Sequence, residues 1–226
     1  MTELGHLLTV DVVAKRLGWP QELRPALYLG AIAPDAHRAT YGVDYRDLHF
    51  RSGRHIGRRL VDFLRRYLRP HLGVSSPEAR AFFAGWLSHI CADTLWKQRV
   101  RQEMSSLWQR IVEGSQLESA TLRAEFYDEC DWVDQQLYRE QEDQVEDIRN
   151  LLERAAPRFT VPPLQLGDIN RWRVHVMMDL LPPTRLSVER PQYLTLGFVE
   201  DSLEEAVEET VAMLDWEIKL AAQGTG

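Results

Sequence analysis

The chain has 226 residues, 44% of them hydrophobic with 7 tryptophans, which is enough apolar material for one sizeable core. Its net charge of −7 is spread along the sequence without a polybasic tail, so there is no specific signal for binding a nucleic-acid backbone. No run of ~18 or more apolar residues marks a transmembrane anchor. Cys91 and Cys130 fall inside predicted helices with apolar neighbours and read as small core residues, not as a disulfide framework. Glu3, His6, Asp11, Lys15 and Arg16 interrupt the first 20 residues, which rules out a basic leader followed by an apolar run and makes a cytoplasmic protein the expectation.

In chain order, the spacing predicts a helix over residues 4–17, ended by Gly18 ahead of Pro20, with His6, Val10, Val13 and Leu17 on one stripe. His6 is either a satisfied core histidine or a metal ligand presented by the first turn. A short apolar segment over 23–33 is stopped by Pro34 and delivers Asp35 into a loop. Asp35, His37, Asp44, Asp47 and His49 crowd residues 35–49, which is carboxylate and imidazole chemistry suited to zinc or a similar divalent ion. A basic amphipathic helix follows over about 56–68. Its Arg54, Arg58, Arg59, Arg65, Arg66 and Arg69 stay largely outside while Ile56, Leu60, Phe63, Leu64 and Tyr67 face inward, which reads either as ordinary packing or as a face for a phosphate-bearing substrate or an acidic membrane surface.

The next stretch organises the chain: a long helix over 79–101, started by Ser76-Pro77-Glu78. Phe82, Trp86, His89, Asp93 and Trp96 fall on one face of it. A buried aspartate needs a proton, a cation or strong hydrogen-bond donors, and a metal would satisfy His89 and Asp93 together. After Gly114 and Ser115 a second long helical stretch runs over 117–154, with Phe126, Cys130, Val133 and Leu137 inward and Asp131 and Asp134 beside them. Helices are also predicted over 168–181, carrying His175, and over 203–221, with the segment 185–198 extended in part around Tyr193-Leu194-Thr195-Leu196-Gly197-Phe198. The expected fold is all-α: a single compact multi-helical domain over 1–226, with a metal-site half at 1–110 and a divergent helical half at 115–226.

The ordered set Gly30-Ala31-Ile32-Ala33-Pro34-Asp35, His49-Phe50 and Gly85-Trp86-Leu87-Ser88-His89 with Asp93 resembles the zinc-dependent phospholipase C family, related to the S1/P1-type nucleases. The likeness covers about residues 4–100. It implies a helical fold of the phospholipase C / P1 nuclease type around clustered zinc ions that hydrolyse phosphoric esters. Matched position by position, it implies His6, Asp35, His49, His89 and Asp93 as metal ligands, with Asp93 as the bridging candidate. Two departures reduce the expected metal content to one or two ions, zinc or another divalent metal. The chain begins with Met1 where secreted members use a processed tryptophan, and no histidine follows His89 until His175.

These residues lead to the expectation of a metal-dependent hydrolase acting on a phosphomonoester, a phosphodiester or a phospholipid head group. Asp35, Asp44 or Asp47 would orient the nucleophilic water. The other expectation is a non-catalytic metal-binding protein with a structural or protein-interaction role on the same fold. A GxxxxGK[ST] loop, a GxSxG elbow, an HExxH motif and CxxC pairs are all absent from the sequence.

Overall fold

The structure, a computed structural model, describes residues 1–49, 61, 63–72, 76–182 and 191–223. Helix α1 spans Glu3–Arg16; the Thr2 side chain accepts the Gly5 N–H at its start, and Gly18 at φ +64° follows its end. That left-handed conformation carries no Cβ penalty only in glycine. Helix α2 spans Arg24–Ile32, and the chain then continues as a 3₁₀ helix over Ala33–Ala39. Pro34 therefore tightens the chain and does not open it into a loop. Its missing N–H falls in the first turn, where no intrahelical partner is required. A short helix α3, Tyr45–Leu48, ends at His49.

A π-helical stretch Leu64–Leu68 leads into α4, Arg69–Leu72. The remainder of the predicted basic helix, with Ile56, Leu60, Arg58 and Arg59, lies outside the described residues, as does Phe50. Of the described arginines, Arg65 and Arg66 are exposed, whereas Arg69 makes a two-pronged pair with the buried carboxylate of Glu217 (2.7 and 2.8 Å).

Helix α5, Pro77–Glu103, is the centre of the molecule, and Ser76 caps it by accepting the Ala79 N–H. The sequence pattern predicts one buried face, but the helix is buried around its whole circumference from Ala81 to Asp93. The reason is that α1, α2, the 3₁₀ segment and the last helix pack around it. Its contact with α2 is made backbone to backbone. A Cβ added to Gly30 would stand 1.9 Å from the Phe82 carbonyl oxygen, and one added to Gly85 would stand 1.9 Å from that of Leu27. Only glycine at both positions lets the two helices come this close.

The remaining helices are α6 (Ser105–Glu113), α7 (Gln116–Glu140), α8 (Glu142–Arg154), α9 (Leu166–Asp179) and α10 (Leu196–Gln223). Residues 117–154 are thus two helices, not one, broken at Gln141 (φ −129°, ψ 31°), although Val133, Leu137, Val145, Ile148 and Leu152 are all buried as the stripe requires. No strand occurs among the described residues. The predicted extended segment gives way to a helix beginning at Leu196, and the residues before it are held by Glu129, whose carboxylate accepts the N–H groups of Gln192, Tyr193 and Leu194 at 2.7 Å each. Helix α9 packs against the 3₁₀ segment and α10 against α1 and α5, giving one compact all-helical domain. Cys91 and Cys130 are buried free thiols, pushed up to about 12 by burial. No helix among the described residues is long and apolar enough to cross a membrane.

Candidate metal centre

Four elements converge on the buried middle of α5. The close α2–α5 contact sets the Ala31 carbonyl 2.7 Å from His89 Nδ1. A carbonyl can only accept, so Nδ1 carries the proton and the lone pair of His89 lies on Nε2. His49 is fixed in the same way: its Nδ1 donates to the Tyr45 carbonyl (3.0 Å), and the Trp86 indole N–H donates to the Leu48 carbonyl (3.2 Å), pinning the end of α3 onto α5. The two Nε2 atoms then face one another at 2.9 Å. Two unprotonated nitrogens at that distance repel unless a cation lies between them.

Asp35, delivered by the 3₁₀ segment, completes a third corner. Its Oδ1 is 3.4 Å from His49 Nε2 and 4.0 Å from His89 Nε2. With the 2.9 Å nitrogen pair, these edges bracket the roughly 3.4 Å separation of tetrahedral donors at about 2.1 Å from one ion. Charge states agree with the geometry. Burial lowers His89 to about 4, which keeps the imidazole neutral. Burial works against the charge of Asp35, but positive charge beside it, the Arg38 guanidinium included, outweighs burial and holds the carboxyl below its ordinary range. Arg38 reaches Asp35 Oδ2 at 3.6 Å and Glu3 at 2.6 Å, tying the segment to α1. The donor chemistry, two neutral imidazoles and a carboxylate, fits zinc or another divalent ion.

His6 and Asp93 form a neighbouring group. The His6 ring stacks on His89 with centroids 3.7 Å apart, and both of its nitrogens are buried without a hydrogen-bond partner. Burial, reinforced by the adjacent His89, holds His6 well below the usual imidazole range. Donor atoms of His6, His89 and Asp93 lie within 4.8 Å of one another, as do those of Asp35, His37 and His49. Burial disfavours the Asp93 carboxylate, yet the Met1 amino group and Lys97 overcome it and hold Asp93 well below the ordinary range. Met1 N is 3.2 Å from Oδ1, while Lys97 Nζ and the Tyr45 hydroxyl are each 2.8 Å from Oδ2.

Asp35, His49, His89, Asp93 and His6 are therefore brought together. Asp44 and Asp47 are not: both are exposed, and Asp44 Oδ1 caps α3 by accepting the Arg46 N–H. The Asp44 carboxylate is engaged in starting a helix, and neither residue belongs to the groups of converging donor atoms. His175 is on the surface, paired with Asp179 at 3.3 Å. Asp131 is exposed, and the partly buried Asp134 accepts the Thr2 hydroxyl (2.7 Å). Two participants escape the sequence reading. Lys97 follows Asp93 by four residues, so its place on the same helical face was legible. Tyr45, which stacks on His49 at 3.8 Å, carries no such signal, because its position depends on the fold of the 35–49 segment. No protein-family model, curated protein or solved structure matches the chain.

Proposed function

We propose that the protein is a metal-dependent hydrolase of phosphoric esters, built on a fold of the zinc-dependent phospholipase C / P1 nuclease type. The observation that carries this reading is the opposed pair of Nε2 atoms, 2.9 Å apart and each locked as an acceptor by a backbone carbonyl, with the Asp35 carboxylate beside them. His49, His89 and Asp35 would hold the ion. A divalent ion held there supplies Lewis acidity, making hydroxide available near neutral pH and neutralising charge on phosphoryl oxygens. Asp35 keeps its charge and can also orient a water through its second oxygen. Tyr45 and Lys97, on the more exposed side of the cluster, place a hydroxyl and a cation where an anionic ester would approach. The substrate class is a small phosphorylated molecule or a lipid head group.

Protein purified without chelator should carry one or two equivalents of zinc or a similar metal by elemental analysis. Loaded protein should hydrolyse an activated monoester, a diester or a soluble phosphocholine ester, and His89→Ala and Asp35→Ala should each lower turnover by ~100-fold or more. A content near zero that added zinc cannot raise would end the metal reading.

A second reading, a non-catalytic metal-binding protein with a structural or interaction role, is favoured by the burial of the cluster. His6, Asp35, His49, His89 and Asp93 are all buried, and the cavities lined by Phe82 with Phe159, by Arg99 with Asp201, and by Asp11 with Gln144 lie away from them. Stoichiometric metal without turnover on any of the three ester classes would select it.

A further inference from the structure

We propose that Lys97 is a built-in replacement for a second metal ion, so that the centre holds one divalent cation, and that removing this ammonium opens a second site on Asp93 and His6. The inference rests on the metal centre proposed above.

Two donor groups sit side by side. In the His49, His89 and Asp35 group, Arg38 reaches Asp35 Oδ2 at 3.6 Å, and Oδ1 is the oxygen turned to the two histidines. The His6–Asp93 group is different, because Lys97 Nζ lies 2.8 Å from Asp93 Oδ2. The helix itself sets that contact, since Lys97 is one turn beyond Asp93 on α5. The ammonium is also hydrogen-bonded to the Tyr45 hydroxyl and stands 4.7 Å over the Tyr45 ring, so three interactions hold it in place.

Asp93 Oδ2 is the oxygen nearer the first group, 3.7 Å from His49 Nε2. A carboxylate bridging two ions would use this oxygen toward one of them, and Lys97 already occupies it. On the other side, Asp93 Oδ1 lies 3.7 Å from His6 Nε2 and 3.2 Å from the Met1 amino group. His6 has both nitrogens buried and unpartnered, and the carboxylate it faces carries positive charge on both oxygens, the Met1 ammonium on Oδ1 and Lys97 on Oδ2. The Met1 and Lys97 ammonium groups already match the charge of the two buried carboxylates, Asp35 and Asp93, so each divalent ion adds net positive charge and one is held more readily than two. The arrangement keeps Asp93 charged and oriented at the edge of the first site without making it a bridge.

The test is zinc binding by the full chain, measured by isothermal titration and by elemental analysis after gel filtration, with helical content checked by circular dichroism. The unmodified protein should bind one zinc. Lys97→Met and Lys97→Gln should each bind two, while Lys97→Arg, which keeps the cation, should bind one. Adding His6→Ala to Lys97→Met should return the ratio to one. Two zinc ions in the unmodified protein would overturn the inference on their own, even if the variants failed to fold. One zinc ion in folded Lys97→Met and Lys97→Gln would overturn it and leave the first site standing. Zero zinc in every form would overturn the metal centre and this inference together.

Discussion

Gly85 of α5 lies with its Cα against the Leu27 carbonyl of α2, and the reciprocal contact places Gly30 against the Phe82 carbonyl. One residue after Gly30 comes Ala31, whose carbonyl fixes the His89 tautomer at 2.7 Å, and His89 is one turn after Gly85. This backbone-to-backbone helix contact is thus also what aims a candidate ligand.

Gly30→Ala or Gly85→Ala should therefore damage both stability and metal binding. Alanine is favoured over glycine in a helix by about 1 kcal/mol, but a Cβ 1.9 Å from a carbonyl oxygen forces the helices apart. Overpacking of this kind costs roughly 1–3 kcal/mol or more. A lowered melting temperature accompanied by weaker zinc binding is the expected pair of results. An unchanged or raised melting temperature in both variants would show that the backbones do not touch.

The segment entering α10 should depend on Glu129. Three N–H groups converge on its carboxylate, and hydrogen bonds to a charged group contribute about 1.5–3 kcal/mol each in mutational series. Glu129→Gln turns a donor toward these N–H groups and should lower stability by roughly 2–4 kcal/mol. Hydrogen exchange should quicken first at Gln192, Tyr193 and Leu194, and exchange unchanged there would contradict the assignment.

Asp134 should make stability fall as pH rises. Burial lifts its pKa from 3.8 to about 8, against the opposing pull of the Thr2 hydroxyl that donates to it. The folded state therefore keeps a proton that the unfolded chain releases. The contribution is fully present below about pH 4 and is lost as pH climbs toward 8. Because the residue is only half-buried, solvent screening limits the effect to on the order of 1–2 kcal/mol. Urea midpoints at pH 5 and 8.5 should differ more in the unmodified protein than in Asp134→Asn. Equal differences would remove Asp134 as the titrating group.

Much of this organisation is written in local pattern. Ser76-Pro77-Glu78 marks the start of α5, Gly18 the end of α1, and the spacing from Phe82 to Trp96 places His89 and Asp93 together. What local pattern misses depends on distant partners. Gly30 and Gly85 look like ordinary helix weak points until their carbonyl contacts across α2 and α5 are seen. The break at Gln141 has neither proline nor glycine to announce it, and Leu196 begins α10 early because Glu129, far away in sequence, holds the preceding backbone. At the site, residue type alone ranks Asp44 and Asp47 beside Asp35, and only the fold separates a buried carboxylate from a helix cap. Asp93 differs: its place on a buried helical face calls for a proton, a cation or strong donors, and in the structure the Lys97 and Met1 ammonium groups and the Tyr45 hydroxyl stand on it.

The most direct measurement is anomalous diffraction at the zinc edge from crystals of the unmodified protein grown with zinc. Zinc held at this centre should give a peak about 2.0–2.2 Å from both His49 Nε2 and His89 Nε2, with Asp35 Oδ1 drawn in as the third donor. Crystals containing zinc in solution but no peak between those nitrogens, with one imidazole turned to donate to the other, would contradict it.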